Sequence, residues 1–158
     1  MADMANLTFS DSVVVDRSPE ELYDIVSDIT RMGEWSPVCK ACWWDEGDSA
    51  RVGCWFTGRN ELPERTWETR SQVVAAERGS EFTFVVGGTR TEWSYRFEPT
   101  QDGRTRLTES WHLLPDGVVF FKERFGEQAE AQMENREQAA REGIPVTLAR
   151  IKAAAEAA

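Results

Sequence analysis

The chain has 158 residues, 41% of them hydrophobic and 29% charged, enough to bury a core without disulfide or metal staples, and it is read as one domain over residues 1–158. Its 18 basic against 28 acidic residues give a net charge of −10, which argues against a nucleic-acid partner and against anionic membrane surfaces. No segment approaches the roughly 20 apolar residues of a membrane span, and Met1 to Asn6 lack a basic region followed by an apolar stretch, so no signal peptide is read and a cytoplasmic protein is expected.

Leu7 to Asp16 reads as a strand, with Phe9 and the Val13-Val14-Val15 run. A helix opens at Ser18-Pro19-Glu20-Glu21, where Ser18 suits the N-cap, Pro19 the first helical position and Glu21 the capping box. Leu22, Ile25, Val26 and Ile29 continue one apolar face. A second short helix or turn over Ile29–Trp35 stops at Ser36-Pro37, because proline disfavours helical geometry in the residue before it. Six strand-like runs follow: Val38–Asp45, Val52–Leu62, Arg65–Ala76, Glu81–Val86, Thr91–Glu98 and Arg104–Leu114. The links between them are short and polar, such as Arg78-Gly79-Ser80 and Gln101-Asp102-Gly103, which predicts antiparallel hairpins. The last third is helical. Val119–Arg141 carries Phe121, Phe125, Ala129 and Met133 at four-residue spacing, Gly143-Ile144-Pro145 interrupts it, and Ile144, Leu148, Ile151 and Ala155 form a second stripe. Either two helices meet at Pro145 or one long helix kinks there. The order β-α-α-β-β-β-β-β-β-α predicts an α+β fold: a curved seven-stranded antiparallel sheet around a long C-terminal helix.

Cys39 and Cys42 make a CxxC, yet in the strand-like run VCKACWW an offset of three places side chains on opposite faces. Zinc would need further ligands, for which only Cys54 and His112 remain, and a redox CxxC usually opens a helix. Three unpaired thiols and no metal are expected. Neither GxGxxG nor a P-loop is present, and no cofactor is expected.

Four stretches resemble the START-like, helix-grip superfamily (SRPBCC) in its polyketide cyclase/dehydrase-like branch. SVVVDRSPEELYDIVSDITRMGEWSP (12–37) is similar to the family's first strand and paired helices. VGCWFTGRNE (52–61) and WETRSQVVAAERGSEFTF (67–84) resemble its central hairpins. TEWSYRFEPTQDGRTRLTESW (91–111) resembles its last two strands, and IPVTLARIKAAAE (144–156) its C-terminal helix. The resemblance covers nearly the whole chain and implies a cavity between sheet and C-terminal helix. It leaves the activity open, because members include lipid carriers, polyketide aromatases and cyclases, and hormone receptors.

Seven tryptophans, most at alternating positions of strand-like runs, point to either a bulky core or an aromatic-lined cavity. Alternation assigns inward faces: Trp93, Tyr95 and Phe97; Leu107, Glu109, Trp111 and Leu113; Trp67, Thr69, Ser71, Val73 and Ala75; and Phe56, Gly58 and Asn60. Trp35, Phe84, Phe121 and Leu148 join them as candidate ligand contacts, beside Phe56, Asn60, Trp67, Ser71, Trp93, Tyr95 and Trp111. Glu109 is the candidate catalytic residue, because a carboxyl on an apolar strand face must find a partner or raise its pKa. A hydrogen-bonded structural carboxylate, paired with an arginine or Asn60, and an outward-turning bulge are the alternatives. His112, on the opposite face, reads as solvated or half-exposed. Phe120, Phe121 and Phe125 form either a flap over the cavity mouth or packing beneath the helix.

The expected function is binding of a hydrophobic small molecule, lipid-like or aromatic and polyketide-like. A polyketide cyclase/aromatase using Glu109 as general acid and base is one alternative. A protein-interaction module using the outer surface is the other. The oligomeric state is not readable from the residues.

Overall fold

In the computed structural model, which describes residues 7–158, seven strands form one antiparallel sheet. They are β1 (Thr8–Val15), β2 (Cys39–Trp44), β3 (Trp55–Leu62), β4 (Arg65–Glu77), β5 (Glu81–Val86), β6 (Thr91–Pro99) and β7 (Thr105–Leu113). Their spatial order is β1-β7-β6-β5-β4-β3-β2, so β2 to β7 follow one another as hairpins and β1 pairs with the last strand. Helix α1 (Pro19–Val26) and a 3-10 turn (Ile29–Glu34) carry the chain from one sheet edge to the other. Helices α2 (Pro115–Phe125) and α3 (Ala129–Ala157) follow, separated by a short 3-10 turn. This is the expected α+β architecture.

Local chemistry sets the entry to α1. Ser18 accepts from the Glu21 backbone N–H at 3.2 Å, and the Ser18 N–H donates to Glu21 Oε1 at 3.3 Å, a complete capping box with Pro19 at the first helical position. Leu22, Val26 and Ile29 are buried behind it.

The C-terminal helices differ from the expected interruption. The break falls at Gly126, whose φ of 55° lies in the left-handed region that only glycine adopts cheaply. Helix α3 instead runs through Pro145. The proline is exposed, while Met133, Ala140, Ile144, Leu148, Ile151 and Ala155 form one buried stripe against the sheet and α2. Burial of that stripe on both sides of the proline offsets the missing backbone donor. Arg17 Nε donates to the Ala155 carbonyl at 2.9 Å and Lys152 Nζ to the Val14 carbonyl at 2.7 Å, fastening the end of α3 to the end of β1.

Two irregularities bend the sheet: the register shifts between Cys39 and Ala41 in β2 and between Val73 and Ala75 in β4. The first overturns the expected placement of the cysteines. Cys39 and Cys42 lie on one face, both buried, because the bulge adds a residue to the alternation between them.

Candidate functional site: an acid and a phenol in an aromatic wall

Cross-strand register assembles the inner face. Trp93 pairs with Phe84 and Trp111, Tyr95 with Phe82 and Glu109, and Phe97 with Leu107. Farther across the sheet Val73 pairs with Phe84, Phe56 with Ser71, and Asn60 with Trp67. Directly opposed residues share a face, so Phe84, Trp93 and Trp111 form one row and Phe82 and Tyr95 another, with Phe97 beside them. Phe56 meets Phe84 edge-on at 5.0 Å, Phe84 meets Phe82 at 5.7 Å, and Phe82 stacks on Tyr95 at 6.4 Å. Tyr23 of α1 closes this row against Phe97 at 5.5 Å. Trp35, Phe56, Phe84, Tyr95, Trp111, Phe121 and Leu148 belong to one buried apolar cluster, with Trp93 half-buried against it.

Not every expected residue joins it. Asn60 and Trp67 are half-buried toward the far end of the β3–β4 hairpin, where Asn60 Nδ2 donates to Thr69 Oγ1 at 3.2 Å and Arg65 lies over the Trp67 ring at 4.0 Å. Ser71 is buried in β4. Trp43 and Trp55 face outward, under Arg59 and Arg70 respectively, so not all the tryptophans belong to the interior. His112 is half-buried on the strand face opposite Glu109. Phe121 packs as part of the core and stacks on Phe125 at 5.5 Å.

Glu109 lies within this wall, 3% exposed. Tyr95 Oη donates to its Oε2 at 2.9 Å, so the partner is the phenol of the neighbouring strand rather than an arginine or Asn60. Its other oxygen, Oε1, is buried without a hydrogen-bond partner among the described residues. Removal from water disfavours the charged carboxylate and pushes the Glu109 pKa up to about 8, against the smaller lowering effect of the Tyr95 bond. Burial, with Glu109 beside it, likewise lifts the Tyr95 phenol well above its ordinary value. At neutral pH the pair is therefore a protonated acid beside a phenol, with one carboxyl oxygen uncommitted.

Two features escaped the sequence reading. Cys39 and Cys42 place their sulfurs 3.1 Å apart on the inner face. Arg136 of α3 is half-buried, with its guanidinium 5.7 Å from the Phe121 ring centre, and burial, then the charge of Arg65, lower its pKa. The bulge behind the first has no sequence signature, and nothing in the polar run around Arg136 marks the turn that faces the sheet.

A separate cleft of about 270 Å³ opens where α1 meets the segment after β2, lined by Tyr23, Asp24, Ser27, Asp28, Trp44, Asp48, Ser49 and Ala50. None of the expected contact residues lines it, and three of its walls are acidic. Tyr23 and Trp44 connect it to the aromatic face, through Phe82 and Phe56. Among the described residues no three His, Cys, Asp or Glu side chains converge on a metal site, and no helix is long and apolar enough to cross a membrane.

The family model described as polyketide cyclase / dehydrase and lipid transport matches residues 6–144. Among solved structures, the Polyketide_cyc-like protein Cgl2372 from Corynebacterium glutamicum is 48% identical, over 96% of this chain and 91% of that one, with a TM-score of 0.69. The di-domain ARO/CYC StfQ from the steffimycin biosynthetic pathway is 16% identical over 98% of this chain and 52% of its own, with a TM-score of 0.69. Protein NE0264 from Nitrosomonas europaea is 13% identical over 97% and 95% of the two chains, with a TM-score of 0.67. The last two likenesses concern the fold alone. No curated protein matches the chain.

Proposed function

Because the chain belongs to the polyketide cyclase/dehydrase and lipid transport family, we propose that it holds a hydrophobic small molecule, lipid-like or aromatic, against the aromatic face of the sheet beneath α3. The observation that carries this reading is the Glu109–Tyr95 pair. A mostly apolar wall with a few oriented polar groups is the ordinary make-up of a small-molecule site. Leaving a buried polar atom unpaired costs about 1–3 kcal/mol, which a ligand oxygen placed against Oε1 would recover. The neutral acid donates there, so a carbonyl or hydroxyl oxygen on the ligand is the matching group. Phe56, Phe84, Trp93, Trp111, Phe121 and Leu148 supply the apolar contacts in this reading, Ser71 a second hydrogen-bonding group, and Trp35, Asn60 and Trp67 the margins.

Native mass spectrometry of the gently purified protein, compared with its denatured mass, tests the proposal. A bound apolar molecule, or saturable quenching of tryptophan fluorescence by a carbonyl-bearing aromatic probe, is expected. An apo mass together with unsaturable quenching overturns it.

The acid–phenol pair also supports a second reading, a cyclase-type enzyme in which Glu109 moves protons during aldol condensation and dehydration of a bound poly-β-ketone. A carboxyl titrating near 8 is matched to proton transfer near neutrality. In that case Glu109→Gln abolishes turnover while probe binding survives. Retained turnover in Glu109→Gln refutes the second reading and leaves the binding role intact.

A further inference from the structure

The inner face carries a pair of thiols that the proposed ligand chemistry does not use. Cys39 and Cys42 stand on β2, both 7% exposed, with their sulfurs 3.1 Å apart. On β3, Gly58 is paired with Cys42 and Asn60 with Cys39. A Cβ on Gly58 would lie 3.2 Å from Cys39 Sγ and 3.3 Å from Cys42 Sγ, so the absent side chain leaves the room both sulfurs occupy. Met32 Sδ lies 3.7 Å from Cys42 Sγ, and Cys39 Sγ is 3.6 Å from the Ala41 carbonyl. A disulfide has its sulfurs about 2.05 Å apart, so bonding requires an approach of about 1 Å. Cys54, in contrast, is half-buried and outside this contact.

We propose that Cys39 and Cys42 are a redox-active dithiol, closing to an intramolecular disulfide in the wall of the aromatic face. The contact is asymmetric. The bond between the two sulfurs holds the Cys39 thiol below its ordinary value, whereas the same bond and burial push Cys42 up. Cys39 is thus the attacking sulfur. A low-molecular-weight disulfide serves as oxidant. Cys39 Sγ bonds to one reagent sulfur as the reagent's S–S bond breaks, and the first thiolate leaves. Cys42 then bonds to Cys39 Sγ, expels the second thiolate, and the two thiol protons pass to the two departing thiolates. Two protein thiols lose two electrons and one reagent disulfide becomes two thiols. Charge on either sulfur raises the Tyr95 phenol, so closure also alters the surroundings of the Glu109–Tyr95 pair. Its effect on ligand affinity rests on the proposed function, but the disulfide itself does not.

The full chain, equilibrated in glutathione buffers of rising glutathione-disulfide content and trapped with N-ethylmaleimide, is read by intact mass and peptide mapping. The expected species is monomeric, unlabelled at Cys39 and Cys42, labelled at Cys54, and restored by dithiothreitol. Cys42→Ser is expected to retain glutathione on Cys39, and Cys54→Ser to behave as the parent does. Labelling of all the cysteines at every ratio overturns the proposal, as does a bridge that requires Cys54. The same samples are titrated with anilinonaphthalene sulfonate. A change in affinity of about threefold or more upholds the placement in the wall, and equal affinity with the disulfide formed overturns that placement. Failure of the probe to bind either state counts against the ligand reading, while the mass result still decides the dithiol.

Discussion

Replacing Glu109 by glutamine keeps the size of the side chain and abolishes its titration. In the unfolded chain the carboxyl ionises at about 4.5, and in the folded protein at about 8. Between those values the folded state binds a proton that the unfolded state has released, so this group makes stability fall as pH rises. The slope is about 1.4 kcal/mol per pH unit. From pH 4.5 to about pH 7 the parent protein therefore loses about 3 kcal/mol that Glu109→Gln does not lose, and the loss levels off above about 8. The glutamine has its own cost, because one end of its amide takes the place of the unpaired Oε1. That offset is independent of pH, so the change in the difference is diagnostic and its absolute value is not. Urea unfolding of both proteins across this range provides the measurement. A stability difference that stays constant from about pH 5 to about pH 8 refutes a buried, neutral Glu109.

Two other substitutions test the geometry around the site. Tyr95→Phe removes the one hydrogen bond that favours ionised Glu109, so the sloping region of the stability profile should extend to higher pH, with about 1 kcal/mol lost at low pH; an unmoved upper limit refutes the coupling. Gly117→Ala places a methyl against the Arg90 carbonyl and Leu113, so α2 must shift, at a cost of about 1–3 kcal/mol in thermal or urea unfolding, and an unchanged midpoint contradicts the close approach.

Strand and helix identity were largely local properties of this chain. The capping box at Ser18 and Glu21 is encoded within four residues, and the hairpin links announce themselves through glycine and charge. Glu109 was legible for a similar reason: strict alternation in β7 leaves a carboxyl among Leu107, Trp111 and Leu113. Its partner was not. Whether Tyr95 or Asn60 meets it depends on register across two hairpins, and that register sets Tyr95 opposite Glu109 while Asn60 is turned to Thr69.

Alternation also failed wherever a single extra residue entered a strand. The bulge at Cys39/Ala41 reverses the facing of one cysteine and converts two separate thiols into a contacting pair. Trp43 and Trp55 lie on the outer face, each beneath an arginine, and for Trp55 that is the face that alternation with the inward Phe56 gives. Pro145 looks like a helix breaker in sequence, and α3 passes through it because the apolar stripe on either side is held down by the sheet and α2.

The sequence by itself therefore determined the order of the elements, the hairpin connectivity and the buried carboxyl, all consequences of short-range periodicity and capping. Only the tertiary structure decided which phenol that carboxyl meets and which thiols touch. Those contacts turn on cross-strand register or on a one-residue shift, and neither leaves a local pattern to read.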